Sequence, residues 1–190
     1  MDEVIEWTPK ARAVLAAAEE LFYAHGIHAV GVDLIAERAG VTKKTLYDRF
    51  GSKERLVVEY LRERDSRWRA FLAPLLDEAG DDPAARLRAV FDASARWAAR
   101  YSGNGCSMIN AHAEINDPAH PAYRVIVDQK AWMLELFTTI TTAAGAADPR
   151  SSARTLMLLH EGALVTDGMH GFEHPYAHAR DAAARVLEAA

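Results

Sequence analysis

Apolar residues recur every three or four positions along most of the chain, and no segment alternates apolar and polar residues as a half-buried strand would. Alanine and leucine are frequent in these segments. The chain has 190 residues, of which 50% are hydrophobic, and that is enough to bury a sizeable core. The pattern predicts an all-α protein.

Capping residues, prolines and glycines divide this pattern into helices. Thr8-Pro9, Asp82-Pro83 and Asp148-Pro149 each place a capping side chain before a proline that suits the first helical position. Glycines that suit helix C-termini follow at Gly26, Gly40, Gly51, Gly80 and Gly145. These signals predict nine helices. The fourth spans 53–79, and we expect its charged run, 62–67, to be exposed.

The segment from Gly31 to Lys53 predicts two short helices joined by a turn at Gly40-Val41-Thr42. Thr42 suits the N-cap of the second helix, and its Leu46 and Phe50 face inward because they are four positions apart. The outer surface of that helix then carries Lys43, Lys44, Thr45, Tyr47 and Asp48. A short helix with a polar outer surface fits the major groove of DNA.

Positive charge is concentrated near this segment. The whole chain has a net charge of −5 and a pI near 5.9, which excludes a generally basic DNA-binding protein. The segment from Arg38 to Arg55, however, contains six cations and two anions, so its net charge is 6 − 2 = +4. Ser52 suits the cap of a further helix that begins with Lys53, so a helix N-terminus and a cation coincide where a phosphate can bind.

These motifs resemble the TetR-type (TetR/AcrR) transcriptional regulators. The similar segments are AVLAAAEELFYAHG, from Ala13 to Gly26, and IAERAGVTKKTLYDRFGSKERL, from Ile35 to Leu56. The resemblance implies a nine-helix homodimer. A helix-turn-helix domain at 8–55, with its motif at 31–50, precedes the connecting helix at 53–79. A ligand-binding and dimerisation domain follows at 80–190.

The resemblance also implies which side chains contact DNA. Thr42, Lys43, Thr45, Tyr47 and Lys53 match phosphate and base contacts of the family, and Lys44 and Arg49 complete the predicted set on the same helix. Asp48 departs from the family, which often has a neutral or basic residue there. A carboxylate near phosphates is repelled unless it accepts from a cytosine amine or pairs with Lys44. The arm MDEVIEW is acidic, so we expect no strong minor-groove contacts from it.

Aromatic and methionine side chains in the C-terminal region are explained either as core or as the lining of an effector cavity. The predicted ligand pocket consists of Trp97, Tyr101, Met108, His112, Met133, Phe137 and His160. His160 fits a pocket hydrogen-bond partner or a satisfied core histidine. Cys106 fits a redox sensor or a small buried hydrophobe.

No cofactor and no metal are predicted. His112, Glu114, Asp117 and His120 lie close together in the sequence, as do His160 and Glu161, but His112 and Glu114 are two positions apart and do not share a helical face. Motifs of di-iron bundles, zinc proteases, phosphate loops and nucleophile elbows are missing from the sequence, so we expect no enzyme.

The last two helices, 149–168 and 176–188, predict a dimer interface. The stretch from Leu156 to Val165 is apolar on nearly all sides, which a single subunit could hardly bury. We expect Arg180 and Arg185 on the last helix to face outward. The sequence shows no signal peptide or transmembrane segment, and its single cysteine fits a reducing compartment, so we expect a cytoplasmic protein.

The sequence thus predicts a DNA-binding transcriptional regulator, most simply a repressor released from a palindromic operator by a small molecule. A helical ligand-binding or interaction module without sequence-specific DNA binding is the alternative. It predicts that Lys43, Lys44, Tyr47 and Lys53 can be replaced without consequence. Effector, operator, regulated genes and the sign of regulation do not follow from the sequence.

Overall fold

The computed structural model describes residues 5–101 and 103–188, and within them the chain forms nine α-helices and no strand. The prediction of an all-α fold with nine helices is confirmed. The helices are α1 (Pro9–His25), α2 (Val32–Arg38), α3 (Lys43–Phe50), α4 (Lys53–Ala79), α5 (Pro83–Tyr101), α6 (Ser107–Glu114), α7 (Pro121–Ala143), α8 (Pro149–Gly168) and α9 (Pro175–Glu188). No helix in these ranges is long and apolar enough to cross a membrane.

Side-chain caps fix the helix starts where the sequence predicts them. The Thr8 hydroxyl accepts from the Ala11 N–H at 3.2 Å at the start of α1, and the Asp148 carboxylate accepts from the Ser151 N–H at 3.0 Å at the start of α8. Asp82 caps α5 in the same manner. These bonds satisfy N–H groups that have no partner within the helix.

The described residues pack into two compact units. The first contains residues up to 64 together with 107–127, and the second contains 65–106 and 128–188, without Ser102. Helices α4 and α7 contribute residues to both units. The predicted functional boundary at residue 80 stays a prediction.

The core of the first unit is formed by α1, α2, α3, α6 and the first part of α4. Its buried side chains include Val14, Phe22, Ile35, Leu46, Phe50, Leu56, Tyr60 and Met108. The Phe22 and Tyr60 rings lie 5.7 Å apart. Burial raises the pKa of Tyr60 to about 12, so this phenol stays neutral at physiological pH.

The charged run 62–67 of α4 is not wholly exposed, and the prediction is wrong at Arg64. The Arg64 side chain is buried, and its guanidinium stacks over the Tyr23 ring at 4.4 Å. It also pairs with the Glu19 carboxylate at 3.6 Å. An arginine can be buried here because α1 supplies both an aromatic face and a counter-charge.

The core of the second unit lies between α5, α7, α8 and the helices next to them. The Phe91 and Phe137 rings lie 6.2 Å apart, and the ring of His160 contacts both at 5.6 and 5.7 Å. The buried side chains of α5 and α7 in this core include Leu87, Ala98, Met133 and Ile140, whereas Tyr101 at the end of α5 is exposed. On α9, Arg180 does not simply face outward as predicted, because it pairs with Asp92 of α5 at 2.9 Å.

Large apolar side chains remain exposed along α8 and just beyond its end. Leu158 and Met169 are 73% and 75% exposed, and Val165 and Phe172 are exposed as well. Their spacing of seven, four and three positions places the first three on one side of the helix. The surface formed by Leu158, Val165, Met169 and Phe172 is called the α8 apolar surface below.

Candidate nucleic-acid interface

The turn between α2 and α3 is built from short-range interactions. Gly40 has a φ of +65°, a backbone conformation that residues other than glycine rarely adopt. This conformation lets the chain reverse direction after α2. The Val41 N–H then donates to the Ala36 carbonyl at 3.0 Å. The Thr42 hydroxyl accepts from the Thr45 N–H at 3.1 Å and starts α3.

Helix α3 has one buried and one exposed side. Leu46 and Phe50 are buried against the first unit, as predicted. The outer face of α3 consists of the exposed residues Lys43, Lys44, Tyr47 and Asp48. Tyr47 is 41% exposed although it is a large aromatic residue, so its ring is available to a binding partner.

The predicted DNA-contacting residues that remain lie at the edges of this face. Thr42 is exposed at the start of α3, while Thr45 and Arg49 are partly exposed on its flanks. Lys53 begins α4, where the Ser52 hydroxyl accepts from the Arg55 N–H at 3.0 Å. The Lys53 ammonium lies 5.9 Å from the centre of the Phe22 ring.

Arg55 pairs with Glu59 of its own helix at 3.1 Å, and carboxylates neutralise four further cations of this region. The pairs are Arg38 with Glu20, Lys43 with Asp33 at 3.0 Å, Lys44 with Asp48 at 2.7 Å and Arg49 with Glu6 at 2.7 Å. The hydrogen bond and charge of Asp33 raise the pKa of Lys43, and Glu20 acts on the pKa of Arg38 in the same direction. Because these four pairs are largely exposed to solvent, they contribute little to stability, and a phosphate can replace the carboxylate in each of them.

The end of the N-terminal arm rests on α3. The Trp7 ring meets the Phe50 ring edge-on at 6.2 Å, next to the Glu6–Arg49 pair. Residues 1–4 of the acidic arm MDEVIEW lie outside the described residues. Sequence reasoning missed this contact because Glu6 and Arg49 are 43 positions apart, and no local pattern joins them.

Glu114, at the end of α6, binds the turn that follows α1. Its two carboxylate oxygens accept from the Ile27 N–H at 2.8 Å and from the His28 N–H at 2.6 Å. Gly26 ends α1 with φ of +87°, and a Cβ atom there would lie 3.1 Å from a Glu114 oxygen. The structure therefore uses Glu114 as a backbone acceptor. The described residues contain no group of three or more His, Cys, Asp or Glu side chains that could hold a metal.

The seven predicted ligand-pocket residues fall in both units. Met108 and His112 belong to the first unit, where Met108 is buried and His112 is exposed beside Tyr123. The other five belong to the second unit, where the Trp97 and Tyr101 rings lie 4.6 Å apart. A cleft of about 280 Å³ in the second unit, lined mainly by α5 and α9, contains none of the seven. The pocket stays a prediction.

A buried histidine and a half-buried lysine belong to the second unit, together with its aromatic core. His160 is 3% exposed, its Nε2 lies 2.8 Å from the Ser94 hydroxyl, and burial lowers its pKa. The Lys130 ammonium binds the Glu161 carboxylate at 2.9 Å and lies 3.5 Å from the Cys106 sulfur. Burial acts to lower the pKa of Lys130, but Cys106 and Glu161 outweigh it, so the pKa is raised and the lysine stays charged.

A family model described as bacterial regulatory proteins of the tetR family matches residues 14–60, which include α2 and α3. Among curated relatives, the HTH-type transcriptional activator FasR of Mycolicibacterium smegmatis is 49% identical over 49 residues. That alignment covers 26% of this chain and only 22% of the relative, so most of both proteins lies outside it.

Two solved structures match nearly the whole chain. A TetR-family transcriptional regulator from Streptomyces coelicolor superposes with a TM-score of 0.84 at 29% identity, covering 95% of this chain and 93% of the other. A TetR-type transcriptional regulator from Streptomyces avermitilis superposes with a TM-score of 0.78 at 32% identity, covering 93% and 98%. Fold and sequence are therefore similar over both units.

Proposed function

The chain belongs to the TetR family of transcriptional regulators, and we propose that it is a repressor that a small molecule releases from a palindromic operator. As a member of this family it is a DNA-binding transcriptional regulator and not an enzyme. The repressing role, the operator symmetry and the release by an effector are the proposal. The relative FasR is named an activator, so the sign of regulation is tested separately below.

The outer face of α3 is the observation that carries the proposal. It combines an exposed aromatic ring with lysines on a helix of eight residues, which is short enough to lie in a major groove. We assign phosphate contacts to Thr42, Lys43 and Lys53, because they lie at helix N-termini where N–H groups and positive charge coincide. Lys44 and Tyr47 face the bases, and Thr45 and Arg49 contact the groove walls.

DNA binding then requires an exchange of ion pairs. The carboxylates of Asp33 and Glu6 neutralise Lys43 and Arg49 in the free protein. Phosphates replace them when α3 enters the groove, and the released carboxylates return to water. Because these pairs are exposed, the exchange itself changes the free energy little, and the release of counterions from DNA drives binding.

A second copy of the chain covers the α8 apolar surface. Leu158 and Met169 are 73% and 75% exposed, and with Val165 and Phe172 they leave large apolar side chains in water along and just beyond α8, which association would bury. Two copies related by a two-fold axis bury this patch against itself, and the two α3 helices then address two half-sites in opposite orientation. This symmetry is the reason for the palindromic operator.

We place the effector in the second unit, with Trp97, Tyr101, Met133, Phe137 and His160 as candidate contacts. The support within the second unit is a group of aromatic rings next to buried polar groups, the arrangement typical of small-molecule sites. Release requires that the effector bind the conformation unable to hold the operator more tightly than the operator-bound conformation. The protein acts where the DNA is, which for a bacterial regulator is the cytoplasm.

The test is fluorescence anisotropy with DNA from the region upstream of the gene, at near-physiological salt. Wild type is compared with a Tyr47→Ala/Lys53→Ala double variant and with Arg96→Ala, which removes an exposed cation from the second unit. We expect tight, saturable binding by wild type and Arg96→Ala, and no such binding by the double variant. Reporter transcription with and without the gene then gives the sign.

If wild type binds no better than the double variant, selection from random duplexes decides between a distant operator and no sequence-specific binding. Failure to enrich any sequence would support the helical interaction module instead. Sedimentation measures the dimer independently of DNA.

A further inference from the structure

The outer face of α3 carries a carboxylate beside a cation. The Lys44 ammonium and the Asp48 carboxylate lie 2.7 Å apart, and their side chains are 83% and 55% exposed. They are four positions apart and therefore project from the same side of the helix, next to Tyr47. Neither side chain is buried by the rest of the protein, so this pair contributes little to folding.

Asp48 differs from the carboxylates that neutralise the other cations of α3. Asp33 belongs to α2 and Glu6 to the N-terminal arm, so both can swing away when phosphates replace them. Asp48 is part of α3 and enters the groove with it. It is then flanked by phosphates of both strands. Lys44 already donates one hydrogen bond to it, and the remaining lone pairs of the carboxylate can accept from a further donor on a base.

The major groove offers such a donor in two forms. Cytosine presents its N4 amino group alone, whereas adenine presents its N6 amino group beside the acceptor N7, which repels a carboxylate. Cytosine is therefore the base that Asp48 fits. Its partner guanine presents the acceptors O6 and N7 in the same base pair, and these fit the Lys44 ammonium. The edge of a C·G pair thus complements the adjacent acceptor and donor of Asp48 and Lys44.

We propose that Asp48 and Lys44 together read one C·G base pair in each operator half-site, Asp48 binding the cytosine amine and Lys44 the guanine. The inference rests on the proposed function, because it requires α3 to lie in the major groove. Asp48 is then a specificity-determining residue, and each operator half-site contains one C·G base pair that the protein requires.

The experiment begins with selection of bound duplexes from random DNA by the full-length protein. Anisotropy then measures the affinity for the selected site and for each single base-pair replacement. The proteins compared are wild type, Asp48→Ala, Asp48→Asn, Lys44→Ala and Glu6→Gln. Glu6→Gln is the matched control, because it also removes a carboxylate paired to an α3 cation but lies outside α3. Thermal melting checks that the exposed substitutions leave the fold intact.

We expect replacement of one C·G pair to weaken wild-type binding about 5- to 150-fold, the usual range when one base-specific interaction is removed. Asp48→Ala abolishes the discrimination at that pair alone, and Lys44→Ala weakens the preference for its guanine. Asp48→Asn shifts the preference towards A·T, because an amide can bind adenine N6 and N7 together. Glu6→Gln leaves the preferred sequence unchanged.

The outcomes separate this inference from the proposed function. If wild type enriches a site whose base preferences Asp48→Ala and Asp48→Asn leave unchanged, the inference is overturned and the operator-binding function stands. It is also overturned if both Asp48 variants merely bind every duplex more tightly, because Asp48 is then a repulsive charge only. If wild type enriches no sequence, the proposed function fails, and the inference fails with it.

Discussion

Removal of the Glu114 side chain should release the turn between α1 and α2. In Glu114→Ala, the Ile27 N–H loses a charged acceptor at 2.8 Å and the His28 N–H loses one at 2.6 Å. Ile27 is 6% exposed, so water replaces its missing acceptor poorly, whereas the exposed His28 N–H is readily hydrated. A hydrogen bond to a charged group contributes about 1.5–3 kcal/mol, and an exposed one contributes less. We therefore expect the turn to be destabilised by about 2–3 kcal/mol.

Amide hydrogen exchange followed by NMR measures this destabilisation at the turn itself. A change of about 2–3 kcal/mol corresponds to exchange of the Ile27 amide that is faster by about 30- to 150-fold. The melting temperature should fall by about 4–12 °C if both units unfold together. Glu114→Gln keeps one acceptor but sets its amide group against the second N–H donor, so we expect about half of the effect.

Glu37→Ala is the matched control, because it removes an exposed glutamate from α2 in the same unit. Its effect should stay within about 0.5 kcal/mol. An Ile27 amide in Glu114→Ala that exchanges within about threefold of the wild-type rate would refute the reasoning, because the carboxylate would then not be holding the turn.

Three further predictions concern DNA, pH and assembly. Lys53→Ala should weaken binding to all duplexes and reduce the slope of log affinity against log salt by about one for each phosphate that the variant no longer neutralises. An unchanged slope in an anisotropy titration contradicts the assignment of Lys53 to a phosphate. Burial lowers the pKa of His160 below 6.5. As the pH falls, the imidazole therefore takes up a proton in the unfolded chain before it does so in the folded protein. The contribution of neutral, buried His160 to the free energy of unfolding is thus present above pH 6.5 and is lost below it. Denaturation between about pH 7.5 and 5 should show a slope of up to about 1.4 kcal/mol per pH unit from this group, and an equally steep slope in His160→Gln would exclude it. Leu158→Asp should give a folded monomer in sedimentation, with weakened operator binding. Leu158 is exposed within one chain, so the fold is kept, and it contacts the partner in the proposed dimer. A stable dimer in this variant would place the interface elsewhere.

The sequence predicted the helices and their ends because these depend on neighbours within about four positions. The Thr8 and Asp148 caps are local hydrogen bonds, and both form as predicted. The buried and exposed sides of α3 also follow from helical spacing, which places Leu46 and Phe50 on one side and Lys44 and Tyr47 on the other. For the same reason the candidate DNA-contacting surface could be named before the structure was known.

Charge counting along the sequence, by contrast, overestimated the positive charge of that surface. The balance of +4 between Arg38 and Arg55 includes cations that the fold neutralises with Glu20, Asp33 and Glu6. The burial of Arg64 was missed for a similar reason, since its partners Glu19 and Tyr23 belong to α1. A periodic pattern reports that a side chain is polar but not which distant group lies opposite it.

Helical periodicity and capping thus determined the helices of this protein and the outward face of α3 from the sequence alone. Only the tertiary structure decided which groups meet across the sequence, such as Glu114 with the Ile27 amide and His160 with the Ser94 hydroxyl. The physical reason is range. Turns, caps and helical faces arise from interactions within one helical turn, whereas these partners are 87 and 66 positions apart and are brought together by the packing of whole helices.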